Sequence, residues 1–160
     1  MRVAKRVGLV LAALVIVGVA ASAVDLWHAG YRGYVVRTGS MRPTYPPGDL
    51  IVDRPVRPGF KVGDVITFSH SDGPDLVSHR VVSVADGGIR TKGDANRSAD
   101  AWTLRPDQVV GVVRGSLPRF GYVVVFMHQP AGVAGVMTAG LALVLLWGVF
   151  FPGEQRPAEA

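Results

Sequence analysis

The chain has 160 residues, with 17 Lys and Arg against 12 Asp and Glu and a formal net charge of +5. It contains no cysteine, which excludes disulfides, thiolate metal sites and cysteine nucleophiles and leaves covalent chemistry to serine, threonine or lysine. Hydrophobic residues make up 49% of the chain, a high share for a soluble domain, and they are concentrated towards both ends.

The first apolar segment, residues 7–24, carries no charge and follows a short basic segment, residues 1–6. At about 1.5 Å per residue, a helix of this length just spans a hydrocarbon core of roughly 30 Å. The basic flank predicts that residues 1–6 stay in the cytoplasm. Ala21-Ser22-Ala23 has the A-x-A form of a signal-peptide cleavage site, so a cleavable signal peptide is the alternative, although the apolar run is longer than is usual for one.

Six short runs rich in Val, Ile and Thr follow, separated by turns that contain Gly and Pro. The runs are residues 33–38, 49–54, 64–69, 78–84, 88–93 and 108–117. Residues of these types favour strands, and Gly and Pro favour the tight turns between them. Residues 25–129 are therefore predicted to form a mostly β domain, a compact antiparallel, coiled sheet or barrel, between two transmembrane helices.

The second apolar segment, residues 131–151, is also uncharged and long enough to span a membrane. Two spans would return the chain to its starting side, which places residues 152–160 in the cytoplasm and residues 25–129 outside. The outer segment holds most of the basic residues, but segments longer than about 60 residues are largely exempt from the positive-inside rule. We therefore expect a two-span protein of the cell membrane with both termini cytoplasmic.

The net positive charge suits either nucleic acid or an anionic membrane surface. The basic residues are scattered rather than clustered, which favours lipid headgroups and predicts no nucleic-acid partner. The four histidines show no metal-ligand spacing with one another or with carboxylates. They are His28, His70, His79 and His128. We therefore expect no metal and no cofactor.

One serine, Ser40, stands in the stretch TGSMRPTYPPGD, residues 38–49, where it is either a nucleophile or a turn residue. A serine nucleophile needs a base within hydrogen-bond reach and donors aimed at the developing oxyanion. Apart from the histidines, the candidate bases in the outer segment are Lys61 and Lys92. His79 is the preferred candidate because it opens the apolar strand SHRVVSV, where packing can hold a side chain in one orientation.

Four stretches, in this order along the chain, resemble the sequence boxes of type I signal peptidases. TGSMRPTYPPGDLIVDRP resembles the serine box, KVGDVITF the strand after it, SHRVVSV the box of the general base and TKGDANRSAD the last box. The base is lysine in most bacterial members and histidine in the endoplasmic-reticulum type, which archaea and some Gram-positive bacteria share, so His79 makes the chain similar to that type. The boxes cover roughly Tyr34 to Asp100, and Ala95 stands where a second asparagine is expected.

The resemblance implies a membrane-bound serine endopeptidase that removes signal peptides from exported preproteins. Its partners would be those signal peptides and the lipid bilayer, with secretion machinery or accessory subunits as candidates. Ser40 would be the nucleophile and His79 the general base. The backbone N–H of Ser40 and the Thr38 hydroxyl would face the oxyanion, although Thr38 equally suits the end of a strand. The alternative is an inactive membrane-anchored binding or scaffold module of the same fold.

The resemblance also implies an acidic partner for the imidazole of His79. Asp100 is the first choice by analogy with the endoplasmic-reticulum type, and Asp94 is the second. Asp94 could instead pair with Arg80 or Arg97 and hold the last box in shape.

Overall fold

The computed structural model describes residues 2–57, 59–70, 75–85 and 87–150. The predicted cytoplasmic tail, residues 152–160, and the last residue of the predicted second span lie outside the described residues. The chain forms two compact units that divide after Gly121.

The two apolar segments are helical. Helix α1 covers Arg2–His28, α2 covers Phe120–Met127 and α3 covers Pro130–Phe150. Val10–His28 and Pro130–Phe150 are long and apolar enough to cross a membrane, with a mean hydropathy of 2.2 in each. α1 therefore continues beyond the end of the predicted span at residue 24, through the residues expected to begin the β domain.

The short helix α2 was not predicted, because its sequence FGYVVVFM is rich in β-branched residues and too short to show a helical period. Its start is determined by contacts with the turn before the second strand. Arg119, which has a positive φ of 60°, donates its N–H to Asp49 Oδ1 at 3.0 Å. A Cβ on Gly121 would lie 2.6 Å from the Gly48 carbonyl oxygen, so the helix begins as close to this turn as backbone allows.

All six predicted strands are present. They are β1 Arg32–Val35, β2 Leu50–Arg54, β3 Val65–Ser69, β4 Leu76–Ala85, β5 Gly88–Lys92 and β6 Val109–Leu117. They form one sheet in the order β1-β2-β6-β3-β4-β5, and every adjacent pair is antiparallel. The prediction of a mostly β domain with apolar helices at both ends is therefore confirmed.

The loops that follow the two edge strands approach each other. The Ala95 N–H, beyond β5, donates to the Ser40 carbonyl, beyond β1, at 2.8 Å. Gly93 makes this approach possible, because a Cβ there would lie 2.7 Å from the same carbonyl oxygen. The sheet is thus coiled until its edges meet through loops, which brings residues from distant boxes together.

The hydrophobic core packs around the centre of the sheet. Its buried members are Ile66, Phe68, Val81, Ile89, Leu104, Val109 and Val112. His79 of β4 lies directly opposite Ile66 of β3, and directly opposite residues of an antiparallel pair share a face. The register of β3 with β4 therefore directs the imidazole of His79 towards the core.

Candidate active site

His79 is held in one orientation by a hydrogen bond and by a ring contact. It is 5% exposed, and its Nδ1 lies 2.7 Å from Asp100 Oδ2. Its ring meets that of Phe68 edge to face, with centroids 6.3 Å apart. A carboxylate can only accept, so the proton of a neutral imidazole is on Nδ1 and Nε2 is the nitrogen that can accept a proton.

Asp100 is itself fixed by Thr91 of β5, a residue that the sequence analysis did not single out. The Asp100 N–H donates to the Thr91 carbonyl at 2.9 Å, and the Thr91 hydroxyl donates to Asp100 Oδ2 at 2.7 Å. Thr91 is completely buried. The only sequence signal for it was its place at the start of the last box.

Ser40 is half-buried at the start of a turn. Strand β1 ends at Val35 rather than at residue 38 as predicted, so Thr38 precedes this turn and does not end a strand. The two hydroxyl oxygens, Thr38 Oγ1 and Ser40 Oγ, are 3.3 Å apart. Among the described residues, Ser40 Oγ makes no hydrogen bond to His79, and in enzymes without substrate such a contact is often formed only when substrate binds.

Asp94 connects the loop that carries Ser40 to the strand that carries His79. Its two carboxylate oxygens accept from Arg80 Nε at 2.8 Å and Arg80 Nη2 at 2.6 Å, and Thr44 Oγ1 donates to Oδ2 at 2.5 Å. The Arg80 hydrogen bonds hold the pKa of Asp94 below its usual value. In the structure Asp100, not Asp94, is hydrogen-bonded to His79, and Asp94 forms an ion pair with Arg80.

Asp53, a buried carboxyl group on β2, was not among the residues predicted from the sequence. It is 2% exposed, and within the described part of the chain neither carboxylate oxygen has a hydrogen-bond partner. Burial raises the pKa of Asp53 to about 6. The nearby Thr67 hydroxyl opposes this pKa shift, but its hydrogen bond, at 2.9 Å, is with Ser78 Oγ. The alternation of LIVDR, which buries Asp53 together with Ile51, was the available signal.

The hydrogen-bonded pair of His79 and Asp100 can accept a proton from a neighbouring group. A histidine oriented by a buried carboxylate can take a proton on its free nitrogen, and the carboxylate stabilises the imidazolium that results. The bond from Ala95 to the Ser40 carbonyl links the serine turn to the loop after β5. The bonds of Asp94 to Thr44 and Arg80 link the loop of Ser40 to the strand that carries His79.

No family model matches the chain, but curated proteins do. The signal peptidase complex catalytic subunit SEC11 of Tuber melanosporum is 32% identical over 116 residues, which are 59% of this chain and 62% of that protein. The subunit of the same name from Dictyostelium discoideum is 33% identical over 107 residues, or 59% and 60% of the two chains. The chain therefore spans about three fifths of the length of these two relatives.

A third relative is matched over more of its length. The signal peptidase complex catalytic subunit SEC11 of Eremothecium gossypii is 32% identical over 127 residues, which are 71% of this chain and 76% of that protein. Sequence identity of this size over this share of both chains confirms the resemblance. The chain also has the predicted sheet and two helices apolar enough to span a membrane. The chain belongs to the family of signal peptidase complex catalytic subunits, the endoplasmic-reticulum type of type I signal peptidase.

Proposed function

We propose that the chain is a membrane-bound serine endopeptidase that removes signal peptides from exported preproteins at the outer membrane surface. The observation that carries the proposal is the buried hydrogen bond between His79 and Asp100, with the loop of Ser40 linked to the strand of His79 through Thr44, Asp94 and Arg80. The three relatives described above are each named as the catalytic subunit of a signal peptidase complex, which supports the same activity.

In this reaction Ser40 Oγ attacks the scissile carbonyl and His79 Nε2 takes the hydroxyl proton. The imidazolium then returns that proton to the leaving amine, and a water molecule, activated by the same nitrogen, hydrolyses the acyl-enzyme. Asp100 stays ionised and stabilises the imidazolium. The Ser40 N–H and the Thr38 hydroxyl are the proposed donors to the oxyanion, since the two hydroxyls already lie side by side.

The geometry of the first unit suits a substrate that is itself embedded in the membrane. Only residues 29–31 separate the end of α1 from β1. Arg32 strengthens this junction, because its guanidinium lies 3.9 Å from the Trp27 ring centroid and donates to the Trp27 carbonyl at 2.9 Å. Ser40 would therefore stay near the headgroup level, where a signal peptide presents its cleavage site and its effective concentration is high.

The proposed topology places the N-terminus and the chain after α3 in the cytoplasm and the sheet outside, as the basic segment at residues 1–6 predicts. Because the relatives are named as subunits of a complex, accessory subunits are proposed as partners of this chain as well. Preprotein signal peptides and the bilayer are the other proposed partners.

Preprotein cleavage by the purified full chain in lipid vesicles tests the function. Wild type is expected to release the mature protein, and Ser40→Ala and His79→Ala are each expected to be slower by roughly 10³-fold or more, because the nucleophile and its base act as a unit. His70→Ala is the matched histidine control, since His70 is exposed and stacks on Trp102. Equal cleavage by the wild type and both site variants would contradict the proposed peptidase activity of Ser40 and His79. Cleavage by none of the three proteins would favour the alternative of an inactive scaffold module.

Gly93→Ala is expected to slow cleavage by about 10²-fold, the usual cost of displacing a reacting group by roughly 1 Å. The new Cβ would lie 2.7 Å from the Ser40 carbonyl oxygen, so the serine turn must move and its bond from Ala95 must lengthen. Gly115→Ala is the control, because no atom of the described residues lies within 4 Å of its Cβ position. Equal cleavage rates for the two alanine variants would show that the close approach at Gly93 does not position Ser40.

A further inference from the structure

We propose that Thr91 is a positioning residue that orients the His79 base through Asp100, an inference that rests on the function proposed above. Thr91 holds Asp100 at two points, since its hydroxyl donates to the carboxylate at 2.7 Å and its carbonyl accepts the Asp100 N–H at 2.9 Å. One residue of a sheet strand thus fixes both the backbone and the side chain of Asp100.

The two donors to Asp100 converge on a single oxygen. Thr91 Oγ1 and His79 Nδ1 each lie 2.7 Å from Asp100 Oδ2. An ionised carboxylate only accepts, so the single Thr91 hydroxyl proton must be directed at this oxygen. A terminal carboxylate torsion is broad and roughly two-fold by itself. The Thr91 hydrogen bond therefore selects the rotation at which Oδ2 faces the imidazole.

Solvent has little room to replace this bond. The exposed fractions are 0% for Thr91, 8% for Asp100 and 5% for His79. In a site with so little solvent access, water cannot replace a hydrogen bond that a charged group has lost. Removing the hydroxyl should leave His79, the group that Asp100 has to orient, as the one side chain among the described residues that is hydrogen-bonded to the Asp100 carboxylate.

Two pairs of variants separate the hydroxyl from packing. Thr91→Val differs from wild type in the hydroxyl at nearly constant shape, and Thr91→Ala differs from Thr91→Ser in the hydroxyl alone. We expect Thr91→Val to lower kcat by roughly 10- to 100-fold, the loss that corresponds to one hydrogen bond to a charged group. Thr91→Ser should keep most of the wild-type kcat and Thr91→Ala should not. KM should change little, because Thr91 is buried away from substrate.

A purely structural role predicts the opposite order. Valine suits a buried strand position, whereas serine loses a buried methyl group and leaves a small cavity. If Thr91 only packs, Thr91→Val should match wild type and Thr91→Ser should be impaired.

The assay is cleavage of a preprotein by the full chain in lipid vesicles, with Ser40→Ala and His79→Ala measured beside the Thr91 variants and rates normalised to folded protein. Wild-type kcat in Thr91→Val, with both site variants inactive, overturns the inference about Thr91 and leaves the proposed function standing. Wild-type rates in Ser40→Ala or His79→Ala overturn the proposed function and this inference with it. Should Thr91→Val not fold, equal kcat in Thr91→Ser and Thr91→Ala overturns the inference.

Discussion

Asp100→Asn is expected to lower the rate of preprotein cleavage by about 10³- to 10⁴-fold, the size of effect seen when the carboxylate of a serine protease triad becomes an amide. Asp100 Oδ2 is 2.7 Å from His79 Nδ1 in a buried site. The amide carries no charge to stabilise the imidazolium, and its NH2 group can stabilise the tautomer whose Nε2 already carries a proton. The chain should stay folded, because the amide has the same shape and the Thr91 hydroxyl can accept a hydrogen bond from its NH2 group.

Asp94→Asn is the matched control, since it makes the same chemical change six positions earlier. Asp94 bonds to Arg80 and Thr44 rather than to His79, so we expect a much smaller loss of cleavage and a loss of stability. The Arg80 side chain is 35% exposed, so solvent screening limits that loss to about 1–2 kcal/mol.

The pH dependence of the Asp94 contribution follows from its lowered pKa. A group whose pKa is lower in the folded chain stabilises the fold above its unfolded pKa, here 3.8, and loses this effect as the pH falls. Cleavage rates and thermal unfolding of both variants check the assignment. If folded Asp94→Asn is as inactive as Asp100→Asn, the choice between the two aspartates is wrong.

Asp53→Asn is expected to raise the free energy of unfolding by about 3 kcal/mol at pH 8 and to change it little at pH 4. Burial raises the pKa of Asp53 from 3.8 to about 6, so the folded chain holds this proton more tightly than the unfolded chain. Stability from this group is complete below pH 3.8 and is lost as the pH rises through about 6. An amide is neutral throughout and avoids the cost of a buried carboxylate.

The measurement is chemical denaturation of wild type and Asp53→Asn at pH 4, 6 and 8, followed by tryptophan fluorescence. Asp107→Asn serves as the control, because Asp107 is an exposed acid paired with Arg105 and its replacement should bring no gain at high pH. A variant that is no more stable than wild type at pH 8 would show that Asp53 is ionised in the fold without cost. The Asp53 carboxyl group lies against Gly111, where any side chain would collide with it, because a Cβ on Gly111 would lie 2.9 Å from Asp53 Oδ2.

Local signals were sufficient for much of the fold. Runs of β-branched residues between Gly- and Pro-containing turns predicted all six strands, since strand and turn preferences act over a few residues. Strand order was not predictable in the same way, because β6 lies between β2 and β3 and such pairing depends on contacts far apart in the chain. The helix α2 also depends on long-range contacts, because Arg119 bonds to Asp49 and Gly121 lies against Gly48.

In the candidate site, too, some features were predictable from local sequence and others depended on long-range contacts. The resemblance of the boxes around Ser40, His79 and the two aspartates to those of type I signal peptidases predicted serine chemistry. Spacing could not say which aspartate meets His79, because that depends on how the loop after β5 folds back onto Thr91. The burial of Asp53 and the approach of Ser40 to Gly93 likewise exist only once a coiled sheet brings its edges together. The residues of the boxes and their order, through this resemblance, therefore predicted the chemistry. Only the packing of the folded chain decided which groups touch. A hydrogen bond is sensitive to shifts of a few tenths of an ångström, which no sequence pattern encodes.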